Sequence, residues 1–163
     1  MEQINVVTMR AIKNIRLKTY DYSSDGYYFV TIDTNYRMLY LQGNIKNIVV
    51  AELARLNTLE GVKIDYYVVM SSHIHLIIIL EKSKYSLSEI IRRFKSKTTV
   101  FVRKYANQDW QSKSAQQAGQ LQKLWQPGYY EHIIRNDNAL TKIREYITNN
   151  PNVEKVKFGE FYG

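Results

Sequence analysis

The sequence contains no cysteine, which removes disulfide frameworks, thiolate nucleophiles and cysteine-ligated zinc from consideration together. It also lacks long apolar runs. The longest, Leu76 to Leu80, falls far short of the roughly 20 residues needed to cross a bilayer. The first twenty residues carry Arg10, Lys13, Arg16 and Lys18 and hold no apolar stretch of the secretory kind. The expectation is a protein neither exported nor inserted in a membrane, in a reducing, cytoplasmic setting. Acidic residues are scarce, 15 against 23 basic, for a formal charge of +8. The imbalance is local: between Lys82 and Lys104 eight Lys or Arg are joined by one acid, Glu89. Such a cluster fits a polyanionic partner, because cations bound to phosphates release counterions. A solvated helix face explains the same charges, and composition alone weighs the two evenly.

What is present is a foldable chain. Its 163 residues suit one domain, 1–163, and 45% hydrophobic with 23% charged residues is the balance of a packed globule. Asp25-Gly26 is a turn signal, and YYFVTIDT over Tyr27 to Thr34 is aromatic and β-branched, a first strand. Asn44 is positioned to cap a helix in which Ile45, Ile48, Val49, Leu53 and Leu56 recur at helical spacing, with Gly61 ending the connection. VKIDYYVVM (Val62 to Met70) and HIHLIIIL (His73 to Leu80) form two antiparallel strands broken at Ser71-Ser72. The second is apolar on both faces and belongs in mid-sheet, covered by helices. Ser86 and Glu89 make a capping-box pattern, opening a helix with Leu87, Ile90, Ile91, Phe94, Phe101 and Tyr105 as its inner stripe.

A glutamine-rich stretch, Asn107 to Gln122, has no clear period and predicts a mobile loop over 106–124. After the turn Gln126-Pro127-Gly128, YYEHIIR (Tyr129 to Arg135) is a strand, and a helix starts near Asn136 or Asp137 with Leu140, Ile143 and Ile147 buried. Pro151 should end or kink it. The order strand, helix, strand, strand, helix, strand, helix is that of an α+β fold, a ferredoxin-like or RNA-recognition-like antiparallel sheet with helices packed on it.

The sharpest local signal is His73-Ile74-His75. Residues i and i+2 of a strand share a face, so two imidazoles project together from an otherwise apolar strand. They pack as hydrogen-bonded core histidines, or they ligate a metal through one ring nitrogen each; the pairing favours the metal. Only one further histidine exists, His132. With no cysteine to complete a tetrahedral zinc site, an open, partly oxygen-liganded ion, Mg²⁺ or Mn²⁺, is the better match. Near the C-terminus Tyr146 and Asn150 are four apart and share a face if the helix continues to Pro151. By spacing alone Tyr146, three after Ile143, sits at the edge of the buried stripe.

Four blocks, RLKTYDYSSDGYYFVTIDT (Arg16 to Thr34), DYYVVMSSHIHLIIIL (Asp65 to Leu80), LWQPGYYEHIIR (Leu124 to Arg135) and YITNNP (Tyr146 to Pro151), occur in an order that resembles the REP-associated tyrosine transposases, within the single-tyrosine HUH transposases of insertion sequences. The resemblance implies an HUH domain in which His73 and His75 bind a divalent metal, Asn150 is a third ligand, and Tyr146 attacks DNA. It also implies a hairpin or single-stranded DNA substrate, a nucleoid-associated location, and monomers or homodimers. Family members often have Pro-Asn where this chain has Ser71-Ser72, and Cys where Asp33 stands. Arg92, Arg93, Lys95, Lys97, Arg103 and Lys104 would then contact the DNA backbone, Trp125, Tyr129 and Tyr130 would stack bases, and His132 would line the site or serve the fold. The competing readings are a domesticated, non-catalytic protein that recognises hairpins, and a regulatory oligomer whose histidines only pack.

Overall fold

The computed structural model of the chain describes residues 25–110, 123–149 and 161–162, with the side chains of 107–110 left aside. The order is β1 (Gly26–Asp33), a short 3-10 turn (Asn35–Arg37), α1 (Gly43–Leu56), β2 (Val62–Val69), β3 (His73–Leu80), α2 (Leu87–Trp110), β4 (Tyr130–Ile134) and α3 (Asp137–Asn149). The strands make one sheet in the order β2-β3-β1-β4, every pairing antiparallel. This is the ferredoxin-like α+β arrangement expected from the element order. Among the described residues no helix is long and apolar enough to cross a membrane.

The two central strands are apolar on both faces, and the sheet separates two cores. On one side Tyr28, Val30 and Ile32 of β1 and Ile74, Leu76, Ile78 and Leu80 of β3 meet Val49 and Leu53 of α1 and Leu87, Ile90, Ile91 and Phe94 of α2. On the other, Phe29 and Ile77 meet Ala139, Leu140, Ile143 and Ile147 of α3, with Tyr130, Ile134 and Phe161. Each fully buried Leu, Ile or Phe contributes about 1.5–3 kcal/mol, so β3 is held from both faces. The odd-numbered positions of β3, among them His73 and His75, belong to the α3 side.

Local expectations hold with three corrections. The Ser86 amide donates to Glu89 Oε2 at 2.8 Å and the Glu89 amide to Ser86 Oγ at 3.3 Å, closing the capping box. Asn44, however, is not the cap of α1. Gln42 is, without a side-chain capping bond, and Asn44 Nδ2 donates instead to the Tyr105 hydroxyl at 2.9 Å. The buried stripe of α2 continues through Thr98 and Val102, leaving Phe101 and Tyr105 half-buried. Thr98 can lie inward because its hydroxyl donates to Phe94 O at 2.8 Å and accepts the Trp125 indole N–H at 2.8 Å. Third, α2 runs to Trp110, into the predicted loop: no Gly or Pro interrupts Asn107 to Trp110, and extending an existing helix costs little. Residues 111–122 of that loop, Asn150, Pro151 and most of the C-terminal tail lie outside the described residues.

Candidate active site

His73 and His75 stand at the end of β3 nearest the 3-10 turn. Both are 3% exposed, and their ring centroids are 4.7 Å apart, edge to face. The register explains the surroundings: Asp33 lies opposite His73 and Thr31 opposite His75 on β1, while Thr31 also faces Tyr130 on β4. Thr31 Oγ1 and His75 Nδ1 are hydrogen-bonded at 2.9 Å. Ser72 Oγ lies 3.1 Å from His73 Nδ1. Each ring is thus oriented through Nδ1 by a hydroxyl, and ligation would fall to Nε2, which is buried in both. A hydroxyl that accepts from Nδ1–H fixes the tautomer whose Nε2 lone pair can meet a cation.

His73 has a second neighbour with the opposite preference. Arg37 Nη2 is 3.3 Å from the same Nδ1. A guanidinium only donates, so against it Nδ1 must present its lone pair and the proton moves to Nε2. Arg37 is aimed there by a strained turn in which Tyr36 and Arg37 have φ of 51° and 53°, a region that costs non-glycine residues about 1–3 kcal/mol. Thr34 holds the turn, its hydroxyl bonding Met38 O at 2.6 Å and Ser72 O at 3.0 Å. Arg37 also lies 3.8 Å from the Asp33 carboxylate. Thr31, Asp33, Arg37 and Ser72 escaped the sequence reading as parts of this site. Two of them, Ser72 and Asp33, were marked only as departures from the family pattern.

Two buried imidazoles with hydroxyl-oriented Nδ1 atoms fit a divalent cation as a donor pair. Among the described residues no group of three His, Asp or Glu side chains can hold a metal ion. Asn150, expected as a third ligand, lies outside the described residues.

Tyr146 is on α3, on the histidine side of the sheet, half-buried against that core with its ring 5.3 Å from Phe161. A β-bulge between Ile64 and Tyr66 positions the helix. At the bulge Asp65 accepts from Arg144 Nε at 2.5 Å, and the Arg144 guanidinium lies 5.7 Å from the Tyr66 ring. The salt bridge ties the tyrosine helix to β2. Tyr130, another tyrosine on this side of the sheet, is 8% exposed and burial pushes its phenol well above the usual range.

Several residues expected on the DNA are used inside the protein. Lys95 Nζ donates to Gln126 O at 2.8 Å and to Gly128 O. Burial lowers its pKa to about 8, with the Asp33 charge opposing. Trp125 is 5% exposed and bonded to Thr98, and Tyr130 packs edge-on to Phe29; neither presents a stacking face. The Tyr162 hydroxyl donates to Ile133 O at 3.1 Å and so accepts from His132 Nε2 at 2.9 Å. His132 thereby pins the C-terminal segment, and burial, then Arg135, lowers its pKa to about 4. Arg92, Arg93, Lys97, Arg103 and Lys104 remain on the surface of α2, Arg93 over the Tyr85 ring at 4.4 Å and Lys104 over Phe101 at 5.8 Å.

Known proteins share this architecture. A REP-associated tyrosine transposase solved bound to a REP hairpin superposes with a TM-score of 0.61 at 23% identity, over 84% of this chain and 73% of that one. A protein of Deinococcus radiodurans R1 assigned as a transposase does so with a TM-score of 0.55 at 16% identity, over 83% and 97%. At these identities the likeness is one of fold. In sequence, an uncharacterized protein of Haemophilus influenzae is 31% identical, with 85% of this chain and 87% of the relative covered. The family described as transposase IS200 like matches residues 22–150, a span that takes in all four strands, both histidines and Tyr146. The chain belongs to the IS200-like transposase family.

Proposed function

We propose that the protein cuts and rejoins single-stranded DNA at hairpin or repeat sequences through a 5′-phosphotyrosine intermediate, with Tyr146 as nucleophile. The observation that carries this is the buried pair His73 and His75, each ring oriented at Nδ1 by a hydroxyl, on the sheet face that also receives the Tyr146 helix. His73 and His75 would hold Mg²⁺ or Mn²⁺ through Nε2, with Asn150 as third ligand. When bound, that ion supplies Lewis-acid neutralisation of charge gathering on the phosphoryl oxygens. In the step itself the Tyr146 oxygen forms a bond to phosphorus and the bond from phosphorus to the 3′ oxygen breaks. The phenolic proton ends on that leaving oxygen, giving a 5′-phosphotyrosine and a 3′-OH. No water enters, so the phosphoester is conserved and a second 3′-OH can reverse the step on another strand.

The chain's own groups prepare this reaction. Thr31 and Ser72 fix the imidazoles, the Arg144–Asp65 pair sets the height of α3 over β2, and Arg92, Arg93, Lys97, Arg103 and Lys104 attract the phosphate backbone. Lys95, Trp125, Tyr130 and His132 have internal partners, and the proposal leaves them out of the DNA face.

The test combines the protein with end-labelled hairpin DNA and Mn²⁺ or Mg²⁺ and seeks a covalent adduct that survives denaturation. The adduct should form with wild type and vanish in Tyr146→Phe. Its absence over varied substrates would leave a hairpin-binding protein without chemistry. An adduct that persists in Tyr146→Phe would reassign the nucleophile. Unaltered metal binding in a His73→Ala, His75→Ala double variant would refute the metal site.

A further inference from the structure

The 3-10 turn beside the histidines carries backbone strain that packing does not explain. Tyr36 and Arg37 both have left-handed φ, a region that non-glycine residues keep only where the surroundings impose it. Here they do. Thr34 N donates to Ser72 O, Asn35 N to Leu124 O and Leu41 N to Ser71 O, each at 2.9 Å, so the turn is fastened to the β2–β3 connection and to the segment before β4. The strain does not serve to bury Tyr36, which is 87% exposed. What the turn delivers inward is the guanidinium of Arg37, whose side chain is 29% exposed.

Arg37 is held there loosely. Its Nη2 is 3.3 Å from His73 Nδ1 and its Nε is 3.8 Å from Asp33 Oδ1, both longer than the roughly 2.7–2.9 Å of a well-made charge-assisted bond. Neither contact uses what a guanidinium offers, a planar fork of donors matched to two oxygens of one anion. Charge points the same way. Asp33 faces Arg37, and its charge also acts on the buried Lys95, so one carboxylate already answers two cations. A divalent ion on the histidine Nε2 atoms adds to the surplus, because imidazoles ligate as neutral groups. Excess positive charge beside a cation site is balanced only when an anion arrives. A phosphodiester brings that anion, and its oxygens gather further negative charge as the attack proceeds.

We propose that Arg37 is a catalytic residue of the strand-transfer reaction, turning from His73 to the non-bridging oxygens of the scissile phosphate as Tyr146 attacks. The role rests on the strand-transfer reading and deepens it with a second source of charge stabilisation. The bond from the Tyr146 oxygen to phosphorus forms, the bond from phosphorus to the 3′ oxygen breaks, and the phenolic proton ends on the leaving oxygen. Arg37 keeps all its protons and contributes hydrogen bonds alone. Its departure also changes His73. Ser72 Oγ, 3.1 Å from Nδ1, is then left as the acceptor, the ring takes the tautomer with Nδ1–H, and the Nε2 lone pair is released. Substrate entry thereby completes the ligand that resting Arg37 withholds.

The experiment times adduct formation in single turnovers at saturating hairpin DNA and Mn²⁺, with a phosphodiester or a neutral methylphosphonate at the cleaved position. Arg37→Met should slow the phosphodiester reaction about 10²- to 10³-fold, with hairpin affinity in EDTA within about 3-fold of wild type, and Arg37→Lys should recover part of the rate. On the methylphosphonate, where less charge gathers, wild type and Arg37→Met should differ by less than about 5-fold. An unchanged rate in Arg37→Met, or equal slowing on both substrates, overturns the role. A second readout needs neither metal nor cleavage: the ¹⁵N shifts of His73 when hairpin DNA is added in EDTA. They should move towards the Nδ1–H tautomer in wild type and stay in place in Arg37→Met. A normal adduct with neither readout dependent on Arg37 defeats this inference alone. A His73 response through Arg37 without any adduct defeats strand transfer and leaves the phosphate contact standing, and the absence of both defeats both.

Discussion

The hydroxyl of Thr31 on β1 and Nδ1 of His75 on β3 are 2.9 Å apart, both buried. Their contact links a strand with no recognisable motif to the most conspicuous motif in the chain. If the hydroxyl receives the Nδ1 proton, the ring offers Nε2 to a cation in one fixed orientation. Thr31→Val keeps the shape and removes that acceptor. Mn²⁺ affinity, measured by calorimetry, should fall about 10- to 100-fold, with the melting temperature little changed. An unaltered affinity would deny the bond any part in ligation.

Arg37 should act in the other direction. Its guanidinium favours the His73 tautomer that withholds Nε2, adds positive charge beside the cation, and engages Asp33. Arg37→Met removes all three effects, so Mn²⁺ should bind several-fold more tightly than to wild type. Weaker binding would show that Arg37 helps assemble the site.

The Arg144–Asp65 bond at 2.5 Å sets α3 on the bulge of β2. Arg144→Ala should slow adduct formation about 10- to 100-fold through misplacement of Tyr146, while calorimetric Mn²⁺ affinity holds. Equal losses in both would place Arg144 in the metal site instead.

His132 gives the fold a defined response to acid. Its pKa is about 4 in the folded chain against about 6.5 unfolded. The fold favours the neutral ring, so this contribution is complete above the unfolded value. As pH falls from 6.5 towards 4 the unfolded chain takes up the proton first and stability is lost. His132→Gln does not titrate. Its melting temperature should fall less than that of wild type between pH 7 and pH 4.5, by several degrees. Parallel curves would remove His132 from the acid response.

Gly61 and Gly43 both have positive φ, 76° and 53°, yet differ in surroundings. A Cβ on Gly61 would meet Glu81 O at 2.4 Å and the Ser83 backbone at 2.7 Å, whereas one on Gly43 meets nothing within 4 Å. Alanine should therefore cost about 1 kcal/mol at Gly43, and more than twice that at Gly61, by urea denaturation. Equal costs would mean that the chain near Ser83 yields easily.

How much of this was legible in the sequence depends on the range of the interaction. HIHLIIIL announces a central strand with both imidazoles on one face, because strand periodicity is local. Ser86 and Glu89 declare a helix start for the same reason. Thr31 could not be named, since its value comes from the β1–β3 register, which nothing near Thr31 encodes. Lys95 looked like its basic neighbours, but its partners are carbonyls of Gln126 and Gly128, 31 and 33 residues away and invisible to charge patterning. Tyr130 and Trp125 show the same limit for aromatics: an adjacent pair such as Tyr129-Tyr130 faces opposite sides of the sheet, and only the assembled cores decide which ring is spent.

The placement of β1 also bears on how the molecule forms. β2 and β3 are joined by a short connection and pair locally, so the histidine hairpin can close early. β1 must then find β3 and, from the same Thr31, Tyr130 on β4. Pairings that distant in sequence slow folding, since closing the loop precedes any reward from contact. A partly folded chain can thus own its histidines before it owns Thr31 beneath them or the tyrosine helix above. If the proposed chemistry holds, the centre is complete only once the sheet is whole.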